Sequence, residues 1–444
     1  MNKKKNRILV TGLASLQWGR LEYGNNGNYY LIAPIFSELH RVFPDYEIVT
    51  TFQMSDDFVR AHHVTVLPLE QYFSWRENDG DLKEAMLETA AAETFARDGE
   101  LPVTTPFLET LERTALLVSF NGDMWGDNRD STNANRFFVE LLKLQTAQRM
   151  GIPTVLFASS PGPIDDPVMR KFCKQVYESL SVVINREAIS KTLFESYGYD
   201  VSNTVTRACP AFLFGKEYYP EQVEPHRVLL AENIPTDRKL TGFIVTTNSL
   251  PGGSFSDWER PDSDFDALAC LVEHAVNACG ETVVLFSHSD GFVLKPEFRR
   301  VPWRDYKMGA QLYAYLQNRG IADMSRVFRI QGIYQPWEIH SFIGELDLLI
   351  SGKLHGAVAG MEQFVPTLPI DFQNGPIAHK MQGMFSMIGM ADYIVPRGER
   401  DFIPYYEKLR GDSGKVRARL KENIPAVQER ARDAFEMLTH YVNG

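Results

Sequence analysis

The sequence predicts an α/β protein of two domains, each a mostly parallel sheet layered with helices. Three observations carry that prediction. Short apolar runs alternate with helix-period stretches along almost the whole chain, the pattern of layered α/β folds. The chain has 444 residues, too many for one ordinary core. A polar stretch from Phe214 to Lys239, with Pro220, Pro225 and Pro235, reads as a linker between two alternating sets. The expected architecture is two Rossmann-like domains facing across a cleft, with ligands at the carboxyl-end loops of the strands.

In the first set, strands are expected at Ile8–Gly12, Tyr46–Phe52, Leu116–Phe120, Thr154–Ala158 and Val182–Asn185. Helices are expected over Asn28–His40, Asp81–Arg97, Ser131–Met150 and Glu187–Tyr197. Ser131 is a suitable N-cap, and Gly151-Ile152-Pro153 stops the same helix. The hydrophilic, helix-prone span 55–105 reads as an insertion. In the second set, strands are expected at Phe243–Thr247, Thr282–Ser287, Val327–Ile330, Leu346–Ile350, Thr367–Ile370 and Tyr393–Val395. Phe265, Leu268, Val272, Ala275 and Cys279 form one stripe at a helical period. An amphipathic helix over Lys415–Tyr441 ends the chain. The domains are therefore expected at 1–220 and 221–410, with the terminal helix in 411–444.

Composition narrows the function. A net charge of -11 argues against a nucleic-acid partner, since phosphate-tracking proteins are basic. A local cluster of cations can still oppose the global field and hold a small anion. The four cysteines contain no C-x-x-C pair, and His274, one helical turn from Cys270, has no partners in the sequence that complete a ligand set. No metal and no disulfide framework are expected, and a reducing compartment fits. The basic start is followed only by Ile8-Leu9-Val10, so no signal segment is read. No apolar run approaches the roughly 20 residues of a membrane span. A cytoplasmic location is expected. Peripheral contact with the inner face of the membrane is left open, as is a homo-oligomer.

Six segments could carry chemistry. In Leu346–Gly356 an apolar run ends at Ser351-Gly352 and turns into a small-residue helix. Lys353 and His355 then sit at a helix start, where the dipole and backbone N–H groups favour an anion. The plain alternative is a solvated Lys and a packed His. Gly24, Asn25 and Asn28 lie in a loop whose glycines allow close backbone approach to a ligand, or simply form a capped turn. Asn121-Gly122-Asp123 ends a strand, and Asp123 could accept a proton from a sugar hydroxyl. Arg186 ends another strand and could grip a carboxylate or phosphate; the alternative is a salt bridge to Glu187 or Asp165. Ser287-His288-Ser289-Asp290 cannot form a triad from adjacent residues, which leaves His288 as a cleft candidate. Lys380, after the strand Thr367–Ile370, would join Lys353 and His355 in one basic cluster.

In order and spacing these segments resemble the polysaccharide pyruvyl transferase family. The resemblance rests on Gly24-Asn25-Asn26-Gly27-Asn28, Asn121-Gly122-Asp123, the pair Arg186 and Ser190, Cys209-Pro210-Ala211-Phe212, Asp347 to His355, and Lys380. It implies a GT-B-like fold and transfer of a pyruvyl group from phosphoenolpyruvate to a sugar diol, with no cofactor. It also implies a glycan or lipid-linked sugar as acceptor. On that reading Arg186, Lys353 and Lys380 bind the donor, and His355 is the general acid or holds the leaving phosphate. Asp123 is the base, and Gly24, Asn25, Asn28 and Asn121 line the acceptor side. The family carries Arg immediately before Leu-His, whereas this chain has Lys353, which keeps the charge without the bidentate fork. A nucleotide-sugar glycosyltransferase and a non-catalytic glycan-binding relative are the alternatives.

Overall fold

A computed structural model of the chain describes residues 5–13, 18–74, 76–127, 135–250, 259–370 and 379–442. The described residues form two compact units. Unit 1 holds residues through Arg20, Ile35–Pro210 and those from Glu429 onward; unit 2 holds Leu21–Pro34 and Ala211–Gln428.

Unit 1 is built on β1 (Arg7–Thr11), β2 (Glu47–Thr50), β3 (Thr65–Val66), β4 (Thr114–Phe120), β5 (Thr154–Ser159), β6 (Val182–Asn185) and β7 (Thr204–Thr206). They form one parallel sheet in the order β3-β2-β1-β4-β5-β6-β7. The chain reverses direction across the sheet between β1 and β4, the switch point where such folds bind ligands. The strands are apolar and almost fully buried, as sheets covered on both faces require.

Unit 2 contains β8 (Leu240–Ile244), β9 (Thr282–Phe286), β10 (Asp290–Val293), β11 (Arg299–Pro302), β12 (Val327–Arg329), β13 (Leu348–Ser351) and β14 (Thr367–Pro369). Five run parallel in the order β12-β9-β8-β13-β14, and β10 pairs antiparallel with β11. Here the switch point lies between β8 and β13.

Several expectations are corrected by packing. The span 55–105 is a layer of unit 1 rather than an insertion. It supplies edge strand β3 and the helix Gly80–Asp98, which lies against the helix Asn135–Arg149. Residues 131–134 of the latter's expected start lie outside the described residues. The stretch 214–239 is part of unit 2: Phe214 is buried and stacked on Tyr30 at 4.7 Å, and Val228 and Leu229 are buried in the short helix Arg227–Ala231. The units therefore divide after Pro210 rather than at 220, and residues 21–34 join unit 2 because Tyr29 and Tyr30 pack on Phe214. The helix Ser413–Glu436 is followed by a 3-10 turn, and Phe435 packs on Phe157 of β5 at 4.8 Å. Tyr393–Val395 forms a turn rather than a strand; Val395 N donates to the Pro369 carbonyl at 3.0 Å and makes one parallel bridge to Ile370 beside β14.

The seam between the helices Gly80–Asp98 and Asn135–Arg149 holds a buried ion pair. Lys143 Nζ lies 2.5 Å from Glu88, both about 1% exposed, and Thr105 donates to the same carboxylate at 2.6 Å. Lys143 also donates to the Gln71 carbonyl at 3.0 Å. Lys143→Met leaves Glu88 buried without its cation, so stability should fall by about 3–5 kcal/mol. Adding Glu88→Leu should recover most of the loss. A urea midpoint unchanged in the single variant would refute this account.

Candidate functional site

At the switch point of unit 2, β13 delivers Ser351, Gly352 and Lys353 into the helix Leu354–Glu362. Gly352 is required by proximity: a Cβ there would stand 2.0 Å from Ser249 Oγ and 2.6 Å from Thr246 Oγ1. Ser351 Oγ donates to the Lys353 carbonyl at 2.8 Å and accepts from its N–H at 3.1 Å, which fixes the turn. Lys353 takes the N-cap position without a side-chain cap, and the first N–H groups of the helix have no acceptor within it. His355 is half-buried in that first turn. This is an anion-favouring place, by dipole and by donors.

The loop Asn25–Asn28 belongs to the same place. Asn25 caps the helix Asn26–Val42, its Oδ1 accepting from Gly27 N at 3.1 Å. Asn26 N donates to the His288 carbonyl at 3.2 Å. A Cβ on Gly27 would lie 2.5 Å from His355 Cβ, so only glycine lets the loop backbone close on that histidine. Gly24 is a buried bend before this loop, and Asn28 is half-buried on the helix's first turn. Asn25, Asn28 and His355 are thus brought into one neighbourhood, inside one unit.

Lys353 departs from its expected role. Its Nζ lies 2.6 Å from Asp305 Oδ2, a carboxylate only 1% exposed, and it donates to Ser289 Oγ. Its charge is therefore balanced locally, and the pull on an anion falls chiefly to the helix start and His355. Lys380 is 9% exposed, in the first turn of the helix His379–Met387. The preceding segment Asn374–Ala378 lies outside the described residues.

His288 is the residue that sequence reasoning undervalued. It is fully buried at the end of β9, its ring 5.3 Å from that of Tyr30. Neither ring nitrogen has a hydrogen-bond partner among the described residues. Burial, then Lys353 and His355, push its pKa well below the ordinary value. It is a neutral imidazole wedged behind the helix start, with Cδ2 3.6 Å from where a Cβ of Gly356 would be. Deeper in, His340 and Glu362 lie 2.8 Å apart, and Tyr219 pairs with the other His340 nitrogen at 2.7 Å. Burial lowers the pKa of the imidazole to about 3 and pushes that of the carboxyl well above its ordinary value.

Unit 1 gathers a second polar group at the ends of its strands. Asn121 belongs to the scaffold: its Oδ1 accepts from Leu13 N at 2.5 Å, and Nδ2 donates to Ser119 Oγ at 2.6 Å and to buried Glu140. Both amide atoms are thus engaged within the fold, at the position expected to line the acceptor side. Asp123 is half-buried on the turn just beyond. Arg186 is 2% exposed, and its one side-chain bond among the described residues is from Nε to Ser160 Oγ at 2.8 Å. Neither Glu187 nor Asp165 pairs with it; Glu187 instead accepts from Ile189 N and from Ser190 N and Oγ. No carboxylate among the described residues balances Arg186. Beside it, Asn185 is fully buried, and neither side-chain amide atom has a hydrogen-bond partner among the described residues. Buried polar groups without partners are rare enough to mark a ligand position.

No curated protein matches the chain in sequence. Among solved structures, the Anabaena protein HepE in complex with UDP is similar at 13% identity, covering 97% of this chain and 98% of that one, with a TM-score of 0.56. A UDP-GlcNAc 2-epimerase from Neisseria meningitidis bound to UDP-GlcNAc is similar at 10% identity over 97% and 99%, with a TM-score of 0.57. S. aureus MnaA with UDP gives 11% identity over 99% and 97%, with a TM-score of 0.54. At such identities the likeness establishes the fold, two Rossmann-like α/β units of the GT-B-like kind. No helix among the described residues is long and apolar enough to cross a membrane. The sequence matches the family profile named polysaccharide pyruvyl transferase across residues 25–374, and the chain therefore belongs to the polysaccharide pyruvyl transferase family.

Proposed function

We propose that the protein transfers the pyruvyl group of phosphoenolpyruvate onto two hydroxyls of a glycan or lipid-linked sugar, forming a cyclic ketal and releasing phosphate. The observation that carries this reading is the helix start at Leu354–Gly356, placed at a sheet switch point with His355 on its first turn. Family membership sets it in context. Phosphoenolpyruvate carries a phosphate and a carboxylate, and such groups are held by helix starts and by cations.

The scheme balances without a further reactant. A proton goes to the vinyl carbon, and the first sugar hydroxyl adds to the adjoining carbon and gives up its proton. The second hydroxyl then displaces phosphate, its proton leaving with the phosphate or the base. His355 supplies the first proton or steadies the departing phosphate. Asp123 takes a hydroxyl proton, and Lys380 adds positive potential in unit 2. Gly24, Asn25 and Asn28 shape the wall around His355. Arg186, with Asn185, holds an anionic group of a substrate; its lack of an acid partner supports that role.

Phosphorus NMR of the protein with phosphoenolpyruvate and a panel of glycans tests the reaction. Phosphate release that depends on acceptor is expected. A thermal shift with phosphoenolpyruvate and none with UDP-, GDP- or CMP-sugars should accompany it, because a ligand stabilises only the state it binds. Stabilisation by a nucleotide sugar alone, with no phosphate released, would overturn the proposal in favour of glycosyl transfer.

A further inference from the structure

Unit 2 carries a second cluster of chemistry-bearing side chains that the transfer reaction does not use. The helix Asp266–Asn277 ends in a tight wrap, with the N–H groups of Ala278 and Cys279 both returning to the His274 carbonyl, at 2.9 and 3.2 Å. That wrap folds Cys279 back beside His274. The helix Ile403–Gly411 then sets Glu407 against both, with Oε1 2.6 Å from His274 Nε2 and 3.3 Å from Cys279 Sγ. The three ligand atoms lie within 4.8 Å of one another. We infer that His274, Cys279 and Glu407 form a binding site for one zinc-type divalent cation, with water as a fourth ligand.

The donor set favours that class of ion. An imidazole, a thiolate and a carboxylate together suit a borderline-soft metal, whereas magnesium and calcium take oxygen alone. Three protein ligands plus water is a common zinc shell. Tetrahedral zinc sets its donors roughly 3.3–3.7 Å apart, from bond lengths of about 2.0–2.3 Å. The Cys279–Glu407 separation already matches. The His274–Glu407 separation must open by about 1 Å, the ion taking the place of the proton those two groups share. His274 and Glu407 side chains are 24% and 41% exposed, so both can make that adjustment and an ion can enter from solvent.

Charge is arranged to permit it. Arg410 stands near, its NH1 3.8 Å from Glu407 Oε2, but its Nε is bonded at 2.8 Å to Glu281, a carboxylate 2% exposed. The Arg410–Glu281 pair is neutral together. Once the thiol loses its proton, thiolate and Glu407 carboxylate present two negative charges to a divalent ion. The sequence hid this cluster because its nearest apparent pairing was Cys270 with His274. Cys270 is exposed and instead lies 3.7 Å from Arg319.

The full chain, stripped with a chelator and dialysed, should bind one zinc ion in competition with a chromophoric chelator. Cobalt(II) in its place should give a thiolate-to-metal charge-transfer band in the near ultraviolet. Cys279→Ser should abolish the band, and His274→Ala should weaken zinc binding beyond the roughly 10–100-fold cost of losing an outer-sphere partner. Glu407→Gln, close in shape, should weaken it too with an unchanged circular dichroism spectrum. Cys270→Ser should change nothing. No saturable binding, binding indifferent to Cys279→Ser and His274→Ala, or a charge-transfer band that follows Cys270 would overturn the inference.

Discussion

His355→Ala is expected to lower acceptor-dependent phosphate release by about 10²–10⁴-fold, the usual worth of a positioned proton donor. The geometry makes this a clean substitution. Gly27 packs against His355 at Cβ, and alanine keeps that atom. The helix Leu354–Glu362 starts from the Ser351 turn, whose hydroxyl bonds the Lys353 backbone, and from Gly352, and the substitution leaves both unchanged. Circular dichroism and melting temperature should therefore match those of the parent chain. His355→Gln should remain inactive, because an amide can donate a hydrogen bond but cannot carry the proton to carbon. If instead His355 only orients the departing phosphate, glutamine should restore a measurable share of the rate. Turnover close to normal in His355→Ala would remove this residue from the mechanism altogether.

Much of this arrangement was legible in the sequence, for a definite reason. Buried parallel strands are continuous apolar runs, so β6 was readable residue for residue and β1, β5 and β9 to within a residue at either end. Strands β3 and β7 are two and three residues long, too short for any pattern. The hairpin β10–β11 carries Asp290 and Arg299-Arg300, which read as loop. The 55–105 layer looked like an insertion because the helix Gly80–Asp98 buries three alanines, Thr89 and the acids Asp81 and Glu88, none of which makes it read as a strongly apolar face.

Among site residues, the helix start at Lys353 was visible because strand, turn and small-residue helix are local features. The Asp305 that balances Lys353 was not visible, since nothing local links the two. Asn121 carried a residue type suited to binding, but only the fold reveals that Leu13 and Ser119 already occupy its amide. His288 was hidden for the opposite reason. Its serine and aspartate neighbours suggested a triad that adjacency forbids, which left only a cleft candidate, while the fold buries it completely behind the helix start.

Arg186→Met should remove activity while leaving the protein as stable as before, or more so. An isolated buried guanidinium is costly, because its desolvation is offset only by what it bonds. Among the described residues that is one hydroxyl, Ser160 Oγ. Methionine keeps much of the volume and flexibility and removes the charge, so each kcal/mol gained should raise the melting temperature by about 2–4 °C. Function should move the other way. Charge-assisted hydrogen bonds are worth about 1.5–3 kcal/mol each, so KM for phosphoenolpyruvate should rise roughly ten- to hundredfold or more if Arg186 holds the donor. Arg186→Lys should recover part of the affinity, since it keeps the charge and loses the fork. Opposite signs for stability and activity are the mark of a residue placed for a ligand at the expense of the fold. A melting temperature that falls by several degrees together with activity would make Arg186 a scaffold residue, and its missing counterion would need another cause.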